Sequence, residues 1–218
     1  MCEGIMQAGL MEEKLLPDNI SDEGTNVFSE LVERVKAGDS MAFDQIMIYS
    51  QHRVISLAWR MLGNEDDARD ATQETFLRVY KYLDSYKKEQ DFFAWIYRIT
   101  VNVCHDIAKK QKIRKDQIIS IGSEGEFGTF DFPDSRDSAE DAAILKQKRE
   151  IVANAIQILP EKERAAIVLR DVEGLPTEEV ARIMQSSPTT IRVQISSARK
   201  KLKLYCNRYL GKGAEKDL

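Results

Sequence analysis

The chain has 218 residues, with 32 Lys and Arg against 36 Asp and Glu, a formal net charge of −4 and 43% hydrophobic residues. That share of apolar material excludes wholesale disorder, and the mild acidity argues against a uniformly basic nucleic-acid coat. Three scattered cysteines, Cys2, Cys104 and Cys206, and only two histidines signal no disulfide framework and no metal site.

Free thiols in a reducing cytosol are therefore expected, with no cofactor. No apolar run approaches the roughly 18 residues needed to span a bilayer. The N-terminus lacks the charged-then-apolar layout of a signal peptide. A cytoplasmic protein is expected.

The average charge hides segregation. Residues 1–40 hold nine acids and three bases; residues 95–119 hold six bases and two acids. Residues 120–142 hold seven acids and one base, and residues 182–210 hold seven bases and no acid. Alternating blocks of this kind suggest separate interaction surfaces.

In chain order, residues 1–25 are acidic and unpatterned and are expected to form a disordered extension. From Asp39 to Ile121 there is one glycine, Gly63, and no proline, so helix punctuation is nearly absent. Phe43, Ile46 and Met47, then Val54, Leu57, Ala58, Met61 and Leu62, recur at helical spacing. Ala37-Gly38-Asp39-Ser40 reads as a helix stop followed by a cap, and Gly63-Asn64 as a second break. Glu65, Asp66 and Asp67 then suit the positive end of the next helix dipole. A helical domain is predicted over 26–116.

Within it, Ala68, Ala71, Thr72, Thr75, Phe76 and Val79 form a stripe expected to be buried. Asp70, Gln73, Glu74 and Leu77 form a polar row with one apolar knob at i, i+3, i+4, i+7. Further on, Phe92, Phe93, Trp95 and Tyr97 precede a basic run, Lys109, Lys110, Lys112, Arg114 and Lys115. Aromatics beside cations suit single-stranded nucleic acid, whose bases stack on rings while phosphates meet charge. Some of these rings belong to the core; Tyr86 and Tyr97 are the ones expected at the surface.

Residues 117–141, with Gly122, Gly125, Gly128 and Pro133 among acids, read as a flexible linker, with room for a short strand at Ile118–Ile121. A second, smaller helical domain is predicted over 142–210, followed by a tail, 211–218. Glu161–Val172 reads as a helix ended by Glu173-Gly174. Glu178–Met184 reads as a short helix, Gln185-Ser186-Ser187 as a tight turn. Ser187 then caps a long helix with Pro188 at its first position. This is a helix-turn-helix pattern, spanning about 177–196.

Projected at 100° per residue, Ile191, Ile195, Ala198 and Leu202 share one face of the last helix. Thr189, Arg192, Val193, Ser196, Ser197 and Lys200 lie opposite, flanked by Arg199 and Lys203. Such a face offers donors to base edges and charge to phosphates.

Taken together, these residues resemble an extracytoplasmic-function (group IV) sigma factor of the sigma-70 superfamily. The segment from Asp70 to Tyr80 resembles sigma region 2.2, Phe93 to Asn102 resembles regions 2.3 and 2.4, and Leu159-Pro-Glu-Lys-Glu-Arg with the helix-turn-helix resembles region 4. The resemblance covers about 27–116 and 142–205. It implies an all-α protein, two small helical domains joined by an acidic flexible linker, that is not an enzyme and takes no small-molecule substrate.

It further implies docking on the β′ clamp helices of core RNA polymerase through Asp70, Gln73, Glu74, Leu77 and Arg78, and on the β flap through region 4. Tyr86, Tyr97, Arg98, Asn102 and Lys109 would act at the promoter −10 element. Thr189, Thr190, Arg192, Val193, Gln194, Ser196, Ser197, Arg199 and Lys200 would act at the −35 element. The linker would thread toward the RNA exit path. The protein would be a monomer when free, and an anti-sigma factor would otherwise hold it at the inner face of the membrane.

Three departures qualify the pattern. Ser196-Ser197 stands where such proteins often carry a basic or aromatic pair, and Gln194 where they often carry Arg. Pro176 replaces a frequent capping serine, which leaves Thr177 as the cap. Two other classes compete with the sigma reading. A helix-turn-helix regulator independent of polymerase explains the second half alone. A nucleic-acid enzyme using Asp66 and Asp67 lacks any metal-ligand spacing or nucleophile–base pair.

Overall fold

The structure is a computed structural model and describes residues 20–117 and 150–210. The expected linker, the strand at Ile118–Ile121, the start of the second domain and the tail after 210 lie outside the described residues. All regular structure among the described residues is helical. The chain divides into two compact units, one holding 20–117 and the other 150–210.

The N-terminal unit contains α1 (Ile20–Lys36), α2 (Ser40–Leu62), α3 (Glu65–Lys81), a 3-10 turn (Leu83–Ser85) and α4 (Phe92–Gln117). The first helix begins at Ile20, six residues before the expected start at 26. It ends where Gly38 turns at φ 97°, a left-handed conformation that glycine adopts without steric penalty. Asp39 then caps α2, accepting from the Ala42 amide at 3.3 Å. The Arg34 guanidinium, bonded to that carboxylate at 2.7 Å, holds its pKa below the usual carboxylate range. Gly63, at φ 80°, closes α2, and Asn64 caps α3 by accepting from the Asp67 amide at 2.8 Å.

The core of this unit gathers apolar residues from all four helices. Phe28 of α1 stacks on Phe92 of α4, with centroids 4.3 Å apart and planes 4° from parallel. Phe93 meets Phe28 edge-on, and Arg53 lies over the Phe93 ring at 4.1 Å. Val54, Leu57 and Ala58 of α2 and Ala68, Ala71 and Val79 of α3 are fully buried. Asp67 accepts hydrogen bonds from Asn64 and Gln111, tying the start of α3 to the far end of α4.

In the C-terminal unit, residues 150–157 are helical (α5), followed by α6 (Glu161–Ile167), a π turn (Val168–Val172), α7 (Thr177–Ile183) and α8 (Pro188–Leu210). The expected single helix over Glu161–Val172 therefore changes winding midway. The Glu173 amide reaches back five residues to the Val168 carbonyl, and Gly174 follows at φ 74°. Arg164 of α6 satisfies the end of α5, donating to the Gln157 and Leu159 carbonyls at 2.6 and 3.1 Å. Burial lowers its pKa from the ordinary arginine value.

The helix-turn-helix is formed by α7 and α8. Gln185 sits at φ 49° in the turn, and Ser187 caps α8 by accepting from the Thr190 amide at 3.1 Å. Thr177 does not cap α7: the cap position is Pro176, and no side chain closes that end. Thr177 is itself the first helical residue, one position too far along for its hydroxyl to meet the second or third amide. Ile191, Ile195, Ala198 and Leu202 are all buried, as their spacing predicted.

Candidate protein and nucleic-acid interfaces

Three surfaces carry the residues singled out in the sequence. The first is the outer face of α3. Its inner stripe is buried as expected, apart from half-buried Thr72. Outside, Asp70 and Gln73 are exposed, and Leu77 is 61% exposed, an unusual position for a leucine on a helix with a complete buried face. Glu74 accepts from Arg78 Nε at 2.7 Å, and Asp106 of α4 takes the other side of that guanidinium at 3.0 Å. The Glu74 hydrogen bond is the main reason the Arg78 pKa lies above its ordinary value.

Sequence reasoning missed how far this surface extends. Tyr80 is 63% exposed and Tyr82 48% exposed, and Tyr80 packs edge-to-face with Phe43 of α2 at 5.0 Å. The signal was present as Tyr80, one helical turn beyond Leu77 and outside the buried register, with Tyr82 just past the helix end.

The second surface belongs to α4. Arg98, Asn102 and Lys109 are exposed. With half-buried His105, they fall within about 60° of one another around the helix axis, since 100° per residue brings positions 98, 102, 105 and 109 into line. The structure thus places these three predicted side chains on one stripe.

Tyr86 and Tyr97 are not on that surface. They are 3% and 1% exposed, which corrects the expectation that these two rings face solvent. The physical reason is the aromatic cluster at the start of α4. Tyr86 packs against Phe92 and Trp95 with centroids 5.7 and 5.4 Å away, and Tyr97 against Phe93 at 5.9 Å. The Tyr86 hydroxyl donates to the Gln90 carbonyl at 3.0 Å and lies 3.2 Å from the Ser29 hydroxyl, tying down the 86–90 loop. Burial raises its pKa above the ordinary phenol value.

The third surface is α8. Thr189, Thr190, Arg192, Val193, Ser196, Arg199 and Lys200 are all exposed, and Val193 is 64% exposed. Two predicted members depart from the outward face. Gln194 is half-buried, with its Oε1 buried and without a hydrogen-bond partner. Ser197 is half-buried and donates to Glu163 of α6 at 3.1 Å. At 100° per residue both positions sit on the flank between the two faces, so packing against other helices decides them.

Three of the cations of α8 are met by acids from elsewhere in the unit. Arg192 donates to Glu178 of α7 at 3.1 Å. Arg199 forms a two-pronged bond with Asp171 of the π turn, at 2.9 and 2.7 Å. Lys201 reaches both oxygens of Glu163 at 2.8 Å. Sequence reading saw a basic run free of acids; the acids lie 14 to 38 residues upstream, beyond the reach of helical periodicity.

No group of residues suited to holding a metal ion occurs among the described residues. None of the described helices is long and apolar enough to cross a membrane.

Comparison with known proteins agrees with this geometry. The family model described as Sigma-70 region 2 matches residues 48–114, and that described as Sigma-70, region 4 matches residues 149–202. The RNA polymerase sigma-H factor of Pseudomonas aeruginosa is 33% identical over 172 residues, covering 78% of this chain and 89% of that protein. The ECF RNA polymerase sigma-E factor of Escherichia coli K12 is 35% identical over 171 residues, covering 78% and 88%.

Among solved structures, the sigma factor RpoE of Bartonella quintana, in complex with the anti-sigma factor NepR, superposes with a TM-score of 0.62 at 21% identity, covering 76% of this chain and 96% of that one. CnrH, in complex with the cytosolic domain of CnrY, gives 0.57 at 21% identity, covering 86% and 99%. At that identity both speak to the fold alone.

Proposed function

The chain belongs to the extracytoplasmic-function sigma factors of the sigma-70 family, and on that premise we propose how its two units divide the work. As a member of that family it directs RNA polymerase to promoters and is a transcription initiation factor, not an enzyme.

In our reading α3 docks on the β′ clamp helices. Asp70, Gln73 and Leu77 present one charge, one amide and one apolar knob, and the Glu74–Arg78–Asp106 cluster holds the rim. A mixed surface with a protruding leucine suits a protein partner better than a phosphate backbone.

The exposed stripe of α4 meets the −10 element. Arg98 and Lys109 face phosphates, and Asn102 satisfies the edge of an unstacked base. Unstacking a base takes a few kcal/mol, which a preformed pocket must return. Tyr86 and Tyr97 serve from inside, as the packed floor that keeps the 86–90 loop and the start of α4 in place.

The outward face of α8 enters the major groove of the −35 element, with Thr189, Arg192, Val193 and Ser196 near base edges and Lys200 toward phosphates. Gln194 and Ser197 act as flank residues, not as direct readers. The acidic segment 117–141 links the two units and threads toward the RNA exit path.

The RpoE of Bartonella quintana is bound by an anti-sigma factor. We infer an equivalent partner for this chain, one that covers its polymerase-binding faces. CnrH is held by the cytosolic domain of its partner. A similar arrangement here would keep the chain at the inner membrane face until a stress signal releases it into the cytoplasm.

The observation that carries this reading is the division of α8 into a fully buried apolar face and an exposed face of Thr, Arg, Val, Ser and Lys, behind a capped turn. The test is to add the purified protein to sigma-free core polymerase on a promoter library. Specific run-off transcripts are expected. No transcripts, together with tight binding of the protein alone to duplex operators, would favour a polymerase-independent regulator.

A further inference from the structure

From Pro188 to Ala198, the part of α8 nearest its N-terminus, Arg192 is the only basic side chain. In a helix-turn-helix the N-terminal residues of the second helix are the ones that contact base edges. Arg192 is therefore the one guanidinium placed to read a base rather than a phosphate. Left to itself, an exposed arginine spreads over many rotamers, and ordering it on binding carries an entropic penalty.

Here it is not left to itself. One of its terminal nitrogens, Nη2, donates to Glu178 Oε1 at 3.1 Å, and Glu178 comes from the first turn of the neighbouring helix α7. Both side chains are well exposed, 61% and 60%, so the pair contributes little to fold stability. Its geometry matters more than its energy. A guanidinium has five N–H groups in a planar fork. A single bond to Glu178 narrows the orientations open to the fork and leaves the other donors for the two acceptors, O6 and N7, that guanine shows in the major groove.

The other pairs on α8 are built differently. Asp171 occupies two nitrogens of Arg199, and Glu163 engages Lys201 with both oxygens. Their carboxylates are 24% and 16% exposed, far less than Glu178. Those contacts bind α8 to its own unit. The Glu178 contact is open, single and at the reading end.

We propose that Glu178 is a specificity-determining positioning residue, which holds the Arg192 fork in the orientation that selects guanine at one base pair of the −35 element. This rests on the reading of α8 as the −35 helix.

The experiment uses the full chain assembled with core polymerase on promoters with a randomised −35 element, scoring preference at each position. Arg192→Ala is expected to lose roughly 5–100-fold of discrimination at one position. Glu178→Gln is expected to lose about 3–10-fold at that same position and nowhere else. The double variant should be no worse than Arg192→Ala.

Glu178→Asp separates positioning from simple charge screening, because it keeps the charge but shortens the reach to Arg192. Positioning predicts that it behaves like Glu178→Gln; screening predicts wild-type discrimination. Two results would overturn the proposal: Glu178→Gln changing affinity for every sequence by one factor, or Glu178→Asp leaving discrimination intact. If Arg192→Ala itself shows no single-position effect, it is the base-reading role of Arg192 that fails. Thermal melting of all variants is expected to match the parent.

Discussion

The helices α3 and α8 begin from the same physics and end with different surfaces. Each buries one complete stripe: Ala68, Ala71, Thr75, Phe76 and Val79 in α3, Ile191, Ile195, Ala198, Leu202 and Cys206 in α8. What separates them is where their charges find partners. In α3 the pairs are mostly internal, Arg69 with Glu65 and Arg78 with Glu74, joined by Asp106 from α4. Asp70, Gln73 and Leu77 remain on display. In α8 the partners come from three other elements, through Glu178, Asp171 and Glu163. Lys200 and Lys203 have no acidic partner among the described residues. The groups that the ion pairs leave over therefore differ: a carboxylate, an amide and an apolar knob on α3, two lysines on α8.

The largest test of this contrast removes the shared foundation from one side. Ile191 is fully buried, and Ile191→Ala should cost about 2–5 kcal/mol, lost transfer energy plus the cavity left behind. Denaturant melting should show the C-terminal unit weakened, while core-polymerase binding through α3 persists in proportion to its own share. If both activities fall together, the two faces are not independent.

Next in size is charge reversal on α3. Asp70→Lys with Glu74→Lys should weaken core-polymerase binding about 100-fold, since like charges facing a complementary interface repel strongly. Glu74→Lys also confronts Arg78 with a neighbouring cation. Region 4 should bind −35 DNA as before. Unchanged affinity for core polymerase would mean that the docking face lies elsewhere on the unit.

A smaller effect is expected on α8. Lys200→Ala should weaken holoenzyme binding equally on all promoter sequences and reduce the slope of log affinity against log salt by about 1. A loss confined to one base pair would make Lys200 a reader, and would blur its distinction from Arg192.

Much of the molecule was legible in the sequence, because helix stops and stripes are local signals. Gly38, Gly63 and Ser187 act where the pattern placed them, and every residue of the α8 stripe is buried. What was not legible depends on distant partners. Tyr86 and Tyr97 look amphipathic in sequence, yet Phe92 and Trp95 pack on the first and Phe93 on the second. The acids that hold the α8 cations lie on other helices, so the basic run looked unopposed. Of the predicted −35 residues, Gln194 and Ser197 are half-buried at the flank of the helix, where projection decides little and neighbouring helices decide the rest.

The smallest expected effect is no reaction at all, and it reports on the two units separately. Each described unit carries one buried cysteine, Cys104 in α4 and Cys206 in α8. Burial pushes the Cys104 thiol from 9.0 up to about 12. At pH 8 the thiol stays protonated and is 1% exposed, so alkylation requires the unit to open first. Mass-spectrometric peptide mapping after iodoacetamide treatment should find Cys104 unmodified in the native protein. The pH dependence has a definite sign. Between about pH 9 and 12 the unfolded chain sheds a proton that the folded chain keeps, so stability present below that window is lost as pH rises through it. Labelling of Cys104 should therefore grow with pH faster than a simple thiol titration. In Ile191→Ala, Cys206 should become reactive while Cys104 stays protected. Equal exposure of both thiols would mean that the two units open as one, and the contrast between α3 and α8 would then be one of surface alone.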